Sequence, residues 1–167
     1  MNIKERPRLH LKITPFELMF NGMTLILFIG SIIYLLFVWG TLPSEVPAHY
    51  NATGEVDRWG SKWEMIILPI IAAILWIGMT ILEKYPHVFN YMNLKKDNIR
   101  GQYLNARRML NVLKNTITLI FAYMNWKDVQ IALGHDDALG VWFTPVFFLL
   151  LFVPMGYYII KSFQIKK

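Results

Sequence analysis

The sequence predicts an all-α integral membrane protein: a four-helix bundle with both termini in the cytoplasm and a structured outward loop between the first two helices. Of its 167 residues, 55% are hydrophobic and 17% are charged, which is too apolar a composition for an ordinary water-soluble surface. The apolar residues form four blocks at about 20–39, 65–82, 110–126 and 141–160, each close to the ~20 residues that cross a bilayer as a helix. We therefore predict a single membrane domain over residues 1–167, located in the cell membrane.

Local start signals support the first two helices. Thr14-Pro15-Phe16-Glu17 has the pattern of a capping box with proline at the first helical position, so the first helix should run from about Pro15 to Gly40. Ser61-Lys62-Trp63-Glu64 repeats the capping-box pattern ahead of the second span. Between these helices lies the predicted outward loop, residues 41–64.

The third predicted span is more polar than the others, whereas the fourth contains no charged residue. Polar groups in a membrane helix face other helices, so we expect interhelical hydrogen bonds along one stripe of the third helix. The stripe consists of Asn111, Asn115, Thr118 and Asn125. The predicted cytoplasmic loop, residues 83–109, contains a stretch at 103–109 that looks helical and would extend the third helix.

The distribution of lysine and arginine predicts the orientation of the chain. Fourteen of the 17 basic residues lie in the N-terminal arm, the middle loop with the start of the third span, and the C-terminal tail. The other side of the predicted membrane carries three basic residues and seven of the eleven acidic ones. Because cytoplasmic loops are enriched in lysine and arginine, both termini should be cytoplasmic. This segregation assigns the net charge of +6 to membrane topology and gives no reason to expect a nucleic-acid partner.

The outward loop contains the most distinctive chemistry. Its turn-forming stretch Asn51-Ala52-Thr53-Gly54 should bring His49 back toward Asp57. A histidine and a carboxylate at a membrane surface are compatible with a metal site, a general-base pair or a structural hydrogen bond. The sequence leaves these three interpretations open.

The loop also carries the clearest family likeness in the chain. Its Leu-Pro, Pro-x-His-Tyr-Asn, Gly-x-x-Asp and Gly-Ser-Lys elements resemble the membrane domain of unknown function at the N-terminus of SdpI-type immunity proteins. Later elements, among them Phe89-Asn90-Tyr91 and Ala132-Leu133-Gly134, are similar to small four-helix relatives from bacilli. The resemblance implies a bacterial plasma-membrane protein with an immunity, sensing or membrane-stress role, although the further spans that follow the domain in full SdpI-type proteins are absent here.

Our first functional hypothesis is that the outward loop recognises a peptide or a cell-envelope component. The residues expected to shape this ligand site are His49, Tyr50, Asn51, Gly54, Asp57 and Lys62. The chain contains no cysteine and no metalloprotease-type ligand spacing, which favours a binding protein over an enzyme. We expect no cofactor under this hypothesis.

Two alternatives belong to other classes. A membrane-embedded enzyme would hold a divalent metal at the outer interface, with ligands drawn from His49, Asp57, His135, Asp136 and Asp137. An accessory subunit of a transporter or sensor would instead contact a membrane-protein partner through its basic inner loop and the polar face of the third helix.

A basic cluster in the predicted cytoplasmic loop is suited to lipid. Basic side chains near an anionic membrane surface each contribute about 1 kcal/mol of attraction. The residues expected to contact anionic lipid head groups are Lys95, Lys96, Arg100, Arg107 and Arg108.

Overall fold

A computed structural model describes residues 5–165 of the chain. Its helices are α1 (Pro15–Val38), α2 (Ile67–Leu82), α3 (Ile99–Ala132) and α4 (Phe143–Gln164). Two strands, β1 (Glu45–Tyr50) and β2 (Val56–Ser61), form an antiparallel hairpin between α1 and α2. Short 3-10 turns precede α2 at Lys62–Ile66 and follow it at Pro86–Val88.

Both predicted capping boxes are present. Glu17 N donates to Thr14 Oγ1 at 3.2 Å, and Thr14 N donates to the Glu17 carboxylate at 2.7 Å. Glu64 similarly accepts from Ser61 N at 3.2 Å, but this box opens the 3-10 turn rather than α2 itself. The capping boxes therefore predict where helical structure begins. After the Ser61 box, however, the regular α-helix begins only after the 3-10 turn, at Ile67.

Three helical segments, Pro15–Val38, Lys62–Leu82 and Phe143–Gln164, are long and apolar enough to cross a membrane. The exposed side chains of these segments are largely hydrophobic, as expected for surfaces that contact lipid. The predicted first, second and fourth spans thus correspond to helices of the right length and composition.

α3 differs from the prediction in length and in burial. It extends continuously over 34 residues, so the predicted span 110–126 is only its middle, and the predicted loop 83–109 ends at residue 98. α1, α2 and α4 all pack along α3. The arrangement is three apolar helices around a central polar one, and α3 buries the polar side chains Gln102, Asn105, Arg107, Asn111, Lys114, Asn115, Thr118, Asn125 and Asp128.

Hydrogen bonds hold this central helix against its neighbours. Asn115 Nδ2 donates to Asn21 Oδ1 of α1 at 2.7 Å, and Trp76 Nε1 of α2 donates to Asn115 Oδ1 at 3.1 Å. Nearer the hairpin, Asn125 Nδ2 donates to the Ser31 carbonyl at 3.0 Å. The three asparagines of the polar stripe therefore make the interhelical contacts that their spacing predicts, whereas Thr118 donates to the Lys114 carbonyl within α3.

The expectation of an all-α fold is wrong for the outward loop, which forms the β-hairpin. Val46 of β1 is fully buried against the ends of three helices, in a cluster with Leu35, Leu42, Met65 and Val129. The hairpin is therefore docked on the helices rather than projecting freely. We call this end of the molecule the hairpin face.

Both ends of the described chain lie at the opposite end of the molecule. Arg6 Nη1 donates to the Phe89 carbonyl at 2.6 Å, and Asn98 Nδ2 donates to the Ile165 carbonyl at 3.4 Å. We call this end, formed by residues 5–14 and 83–98 together with the adjoining turns of the four helices, the terminal face.

Candidate ligand-binding site

The turn of the hairpin is organised by Asn51. Its Oδ1 accepts hydrogen bonds from the backbone N–H groups of Thr53 and Glu55, both at 3.0 Å. Gly54 closes the turn by donating to the Asn51 carbonyl at 3.0 Å, with a φ of +80° that favours glycine. Asn51 and Gly54 thus shape the hairpin, as their residue types predict.

His49 and Asp57 meet across the two strands. His49 Nδ1 lies 2.6 Å from Asp57 Oδ1, and both side chains are exposed. The neighbouring Arg58 donates to the Ala48 carbonyl at 3.0 Å and to Glu64 Oε2 at 2.9 Å. A second charged pair, Arg58 with Glu64, therefore lies next to the predicted one in the hairpin.

Tyr50 connects the hairpin to the central helix. Its hydroxyl donates a short hydrogen bond to Oδ1 of Asp128, which is buried near the end of α3. Burial, followed by the adjacent carboxylate, raises the pKa of Tyr50 above its ordinary value, so the phenol remains protonated and donates. This contact joins residues 78 positions apart in the sequence.

A cavity of about 520 Å³ lies between the hairpin and the adjacent ends of α2, α3 and α4. Three of the predicted ligand-site residues, His49, Tyr50 and Asn51, line it. Its other polar lining is contributed by Arg58, Glu64, Asp128 and Thr144, and its apolar lining by residues that include Met65, Leu68, Met124, Leu139 and Phe143.

Asp128, Arg58 and Glu64 belong to this cavity but were not selected from the sequence. Asp128 carried a usable signal, because a carboxylate in a helix that crosses or approaches a bilayer is a functional candidate in its own right. Its neighbour Lys127 does not neutralise it, since Lys127 Nζ contacts Asp136 instead. Within residues 5–165, Tyr50 is the one hydrogen-bond donor to the Asp128 carboxylate.

The remaining predicted ligand-site residues lie outside the cavity. The Lys62 ammonium lies 5.3 Å from the centre of the Trp39 ring, at the end of α1. The Gly54 carbonyl accepts from Leu139 N at 2.8 Å, which ties the hairpin to the loop between α3 and α4. Asp57 faces solvent beside His49.

The five residues of the metal hypothesis do not converge: His49 pairs with Asp57 in the hairpin, whereas the other three belong to the loop between α3 and α4. His135 Nδ1 lies 3.3 Å from Gln130 Oε1, and a hydrogen bond from Lys127 holds the pKa of Asp136 below its usual range. Asp137 is exposed. Across the described part of the chain, no three His, Asp or Glu side chains converge as metal ligands would. The divalent metal stays a prediction of the sequence alone.

The predicted lipid-binding cluster divides into two groups. Lys95, Lys96 and Arg100 are exposed on the terminal face, and Arg108 is half-buried between helices. Arg107 is buried: it forms a hydrogen-bonded ion pair with Glu17 and donates to the carbonyls of Leu11 and Lys12. Its contacts are with the N-terminal arm and α1.

Comparison with known proteins places a family match over the hairpin. The model of DUF1648, a domain of unknown function, matches residues 26–73, from the middle of α1 through the hairpin into α2. An uncharacterized protein of the archaeon Archaeoglobus fulgidus is 30% identical over 135 residues, covering 72% of each chain. No solved structure matches. The matched segment contains most of the polar lining of the cavity.

Proposed function

We propose that this chain, which belongs to the DUF1648 family, is a four-span cell-membrane protein that recognises a cationic peptide or envelope component at its outer surface. The terminal face would be cytoplasmic and the hairpin face would be outward. α3 would form the remaining span, since its polar side chains are buried by the three apolar helices and contact them by hydrogen bonds.

The charge distribution supports this orientation. Among residues 5–165, eleven lysine and arginine residues lie at or near the terminal face, and three belong to the hairpin end of the molecule. The positive-inside tendency of short loops then assigns the terminal face to the cytoplasm. The hairpin face carries an excess of acidic residues, which suits a positively charged ligand.

The buried carboxylate of Asp128 is the observation that carries the proposal. Burying a charge without a cationic partner is costly, and Tyr50 offers a hydroxyl rather than a charge. Arg58 is already paired with Glu64. A lysine or arginine side chain of a ligand entering the cavity would supply the missing positive charge, while His49 and Asn51 would contact the ligand at the cavity wall.

The biological role that fits this site is protection or sensing. The outward-loop motif resembles that of SdpI-type proteins, for which the resemblance implies immunity to a secreted toxin. Recognition of a cationic antimicrobial peptide at the outer surface would serve immunity, sensing or a membrane-stress response equally well. No catalytic step is needed for any of the three.

A binding experiment with defined peptides tests the proposal. The protein is placed in nanodiscs of uncharged lipid and titrated with a fluorescent, lysine-rich amphipathic peptide, followed by anisotropy. We expect saturable binding, weakened at least tenfold by Asp128→Asn, because the amide removes the charge at almost unchanged shape. A peptide with glutamate at each lysine position should not bind.

Asp137→Asn supplies the matched control, since it removes an exposed carboxylate outside the cavity. The control should bind the lysine-rich peptide as the original chain does. Equal affinity of the Asp128→Asn variant and the original chain, or absence of binding by a folded protein, would overturn the proposal.

A further inference from the structure

α4 is attached to the rest of the molecule along one side. Of its described residues, Phe143 to Gln164, none is buried, and the helix against which it packs is α3. At the terminal face, Gln102 Nε2 and Asn105 Nδ2 of α3 donate to the carbonyls of Ser162 and Tyr158, both at 2.8 Å. α1 and α4 thus flank α3 and leave a groove between them.

The part of this groove nearer the hairpin face is an apolar cavity of about 490 Å³. All three helices contribute to its wall: Phe20 from α1, Ile120 and Tyr123 from α3, and Phe147 and Leu150 from α4. A surface of this composition in a membrane is suited to a hydrocarbon chain.

At the terminal face the same three helices enclose a polar cavity of about 400 Å³. It is lined by Glu17 of α1, Arg108 and Asn111 of α3, and Tyr158 and Lys161 of α4. Along α3 the two cavities are separated by about one helical turn, from Val112 to Thr116. The two cavities thus follow one another along the same three helices, and we refer to them together as the polar and apolar parts of the groove.

The polar part carries a positive charge that the protein does not neutralise. The Glu17 carboxylate is neutralised by Arg107, which does not itself line the cavity. Arg108 is half-buried and, among residues 5–165, makes no hydrogen bond or ion pair. Lys161 Nζ donates to the Tyr157 hydroxyl at 3.3 Å, which leaves its charge without a counter-ion. Guanidinium and ammonium groups arranged in this way suit a phosphate.

The groove also has the length of a lipid tail. Between Tyr158 and Phe147, α4 rises by about 16 Å, roughly half of a hydrocarbon core ~30 Å thick. We infer that this groove holds an anionic phospholipid of the leaflet at the terminal face. Its phosphate would lie between Arg108 and Lys161, and one acyl chain would fill the apolar part between α1 and α4.

Lipid retention by the purified full-length chain tests this inference. Native mass spectrometry compares protein supplied with equal amounts of phosphatidylglycerol and phosphatidylcholine, and thermal unfolding is followed in the same samples. We expect at least tenfold preferential retention of phosphatidylglycerol, together with a higher melting temperature, because a ligand that binds the folded state stabilises it.

Three variants distinguish binding in the groove from binding to the basic surface. Arg108→Gln combined with Lys161→Gln should abolish the preference, whereas Lys95→Gln combined with Lys96→Gln removes the same charge from the exposed loop and should preserve it. Leu150→Trp, which fills the apolar part, should lower retention of both lipids with the basic residues intact.

Three outcomes would overturn the inference. These are equal retention of the two lipids by the original chain, equal loss in the two pairs of glutamine variants, and full retention by Leu150→Trp. Inorganic phosphate serves as a further probe: if it raises the melting temperature as much as phosphatidylglycerol, the polar cavity binds free phosphate rather than lipid. The peptide experiment on the hairpin face does not depend on any of these results.

Discussion

Gly54 is subject to two separate restrictions at the tip of the hairpin. Its φ is +80°, and a Cβ atom at this position would lie 2.6 Å from the Gly140 carbonyl oxygen. The left-handed region costs a non-glycine residue about 1–2 kcal/mol, and the backbone oxygen cannot rotate away as a side chain would. We predict that Gly54→Ala lowers the free energy of unfolding by more than this strain alone, as measured by thermal unfolding in detergent.

Gly140→Ala provides the matched comparison. Gly140 has a φ of +91°, but a Cβ there would meet nothing within 4 Å. The Gly140 variant should therefore show the conformational strain without the clash, and a smaller loss of stability. Equal losses in the two variants would contradict the predicted steric contribution of the Gly140 carbonyl.

The buried pair of Arg107 and Glu17 supports a second prediction at this scale. Arg107 Nη2 lies 2.9 Å from Glu17 Oε2, and both side chains are almost completely buried. Arg107→Ala leaves a carboxylate without its partner and should lower the free energy of unfolding by about 3–5 kcal/mol. Chemical denaturation in a mild detergent measures the loss.

Replacing both partners tests the reason for that loss. Arg107→Met combined with Glu17→Met removes both charges, so the double variant should recover part of the stability lost in Arg107→Ala. Recovery should be incomplete, because Arg107 also donates to the carbonyls of Leu11 and Lys12 and Glu17 also accepts from Thr14 N in the capping box. A double variant that is less stable than the single one by more than the loss of a helix cap, about 1 kcal/mol, would show that the isolated charge is not the main cause.

Individual residues show how much of the candidate site could be predicted from the sequence. Turn formers at 51–54 predict that His49 and Asp57 approach, because that contact depends on a few neighbouring residues. Asp128 contacts Tyr50, which lies 78 positions away in the sequence. No local sequence pattern predicts a contact between residues so far apart. The sequence therefore predicts the approach of His49 to Asp57, whereas the contact that brings Asp128 into the cavity requires the three-dimensional structure.

At the scale of elements, α3 shows why hydropathy alone underestimates a membrane helix. A search for apolar runs finds 110–126, whereas the helix covers Ile99–Ala132. The turns before residue 110 bury polar side chains such as Gln102 and Asn105, because α4 supplies their hydrogen-bond partners. Predicting its full length therefore requires knowledge of its neighbours.

The hairpin was missed for a related reason. A half-buried strand normally alternates apolar and polar residues, but β1 buries two consecutive residues, Val46 and Pro47. The pairing with β2 also shifts register between Pro47 and His49, which interrupts regular alternation in the rest of the strand. Proline within the strand further weakens any strand signal.

The polar contacts of α3 give a prediction for the element as a whole. Asn115→Ala removes the acceptor of Trp76 Nε1 and the donor to Asn21. Interhelical hydrogen bonds in membranes contribute about 0.6 kcal/mol on average and up to about 1.7. We expect Asn115→Ala to lower the free energy of unfolding by roughly 1 kcal/mol, measured by denaturation in mixed micelles.

The adjacent Thr116→Ala is a suitable control for this prediction. Thr116 is half-buried and lines the apolar groove rather than the contact between α2 and α3. Its replacement should change stability much less than Asn115→Ala. Similar effects of the two variants would indicate that the polar stripe contributes little to helix association.

At the scale of the whole molecule, the absence of cysteine allows a direct test of topology. Ala52 is exposed at the hairpin tip, and Lys96 is exposed on the terminal face. We predict that Ala52→Cys reacts with a membrane-impermeant maleimide on intact cells, whereas Lys96→Cys reacts only after permeabilisation. Labelling is read by a shift in gel mobility, and the reverse pattern would contradict the proposed orientation.

Leu139 and Phe143 border both the cavity beneath the hairpin and the apolar part of the groove. Any effect that one bound ligand has on the affinity for the other through these shared walls is reciprocal, so the two affinities change by the same factor. Measuring peptide affinity in nanodiscs with and without phosphatidylglycerol gives that factor directly. The composition of one leaflet would then set the sensitivity of recognition at the other, making the surrounding membrane itself an effector of this protein.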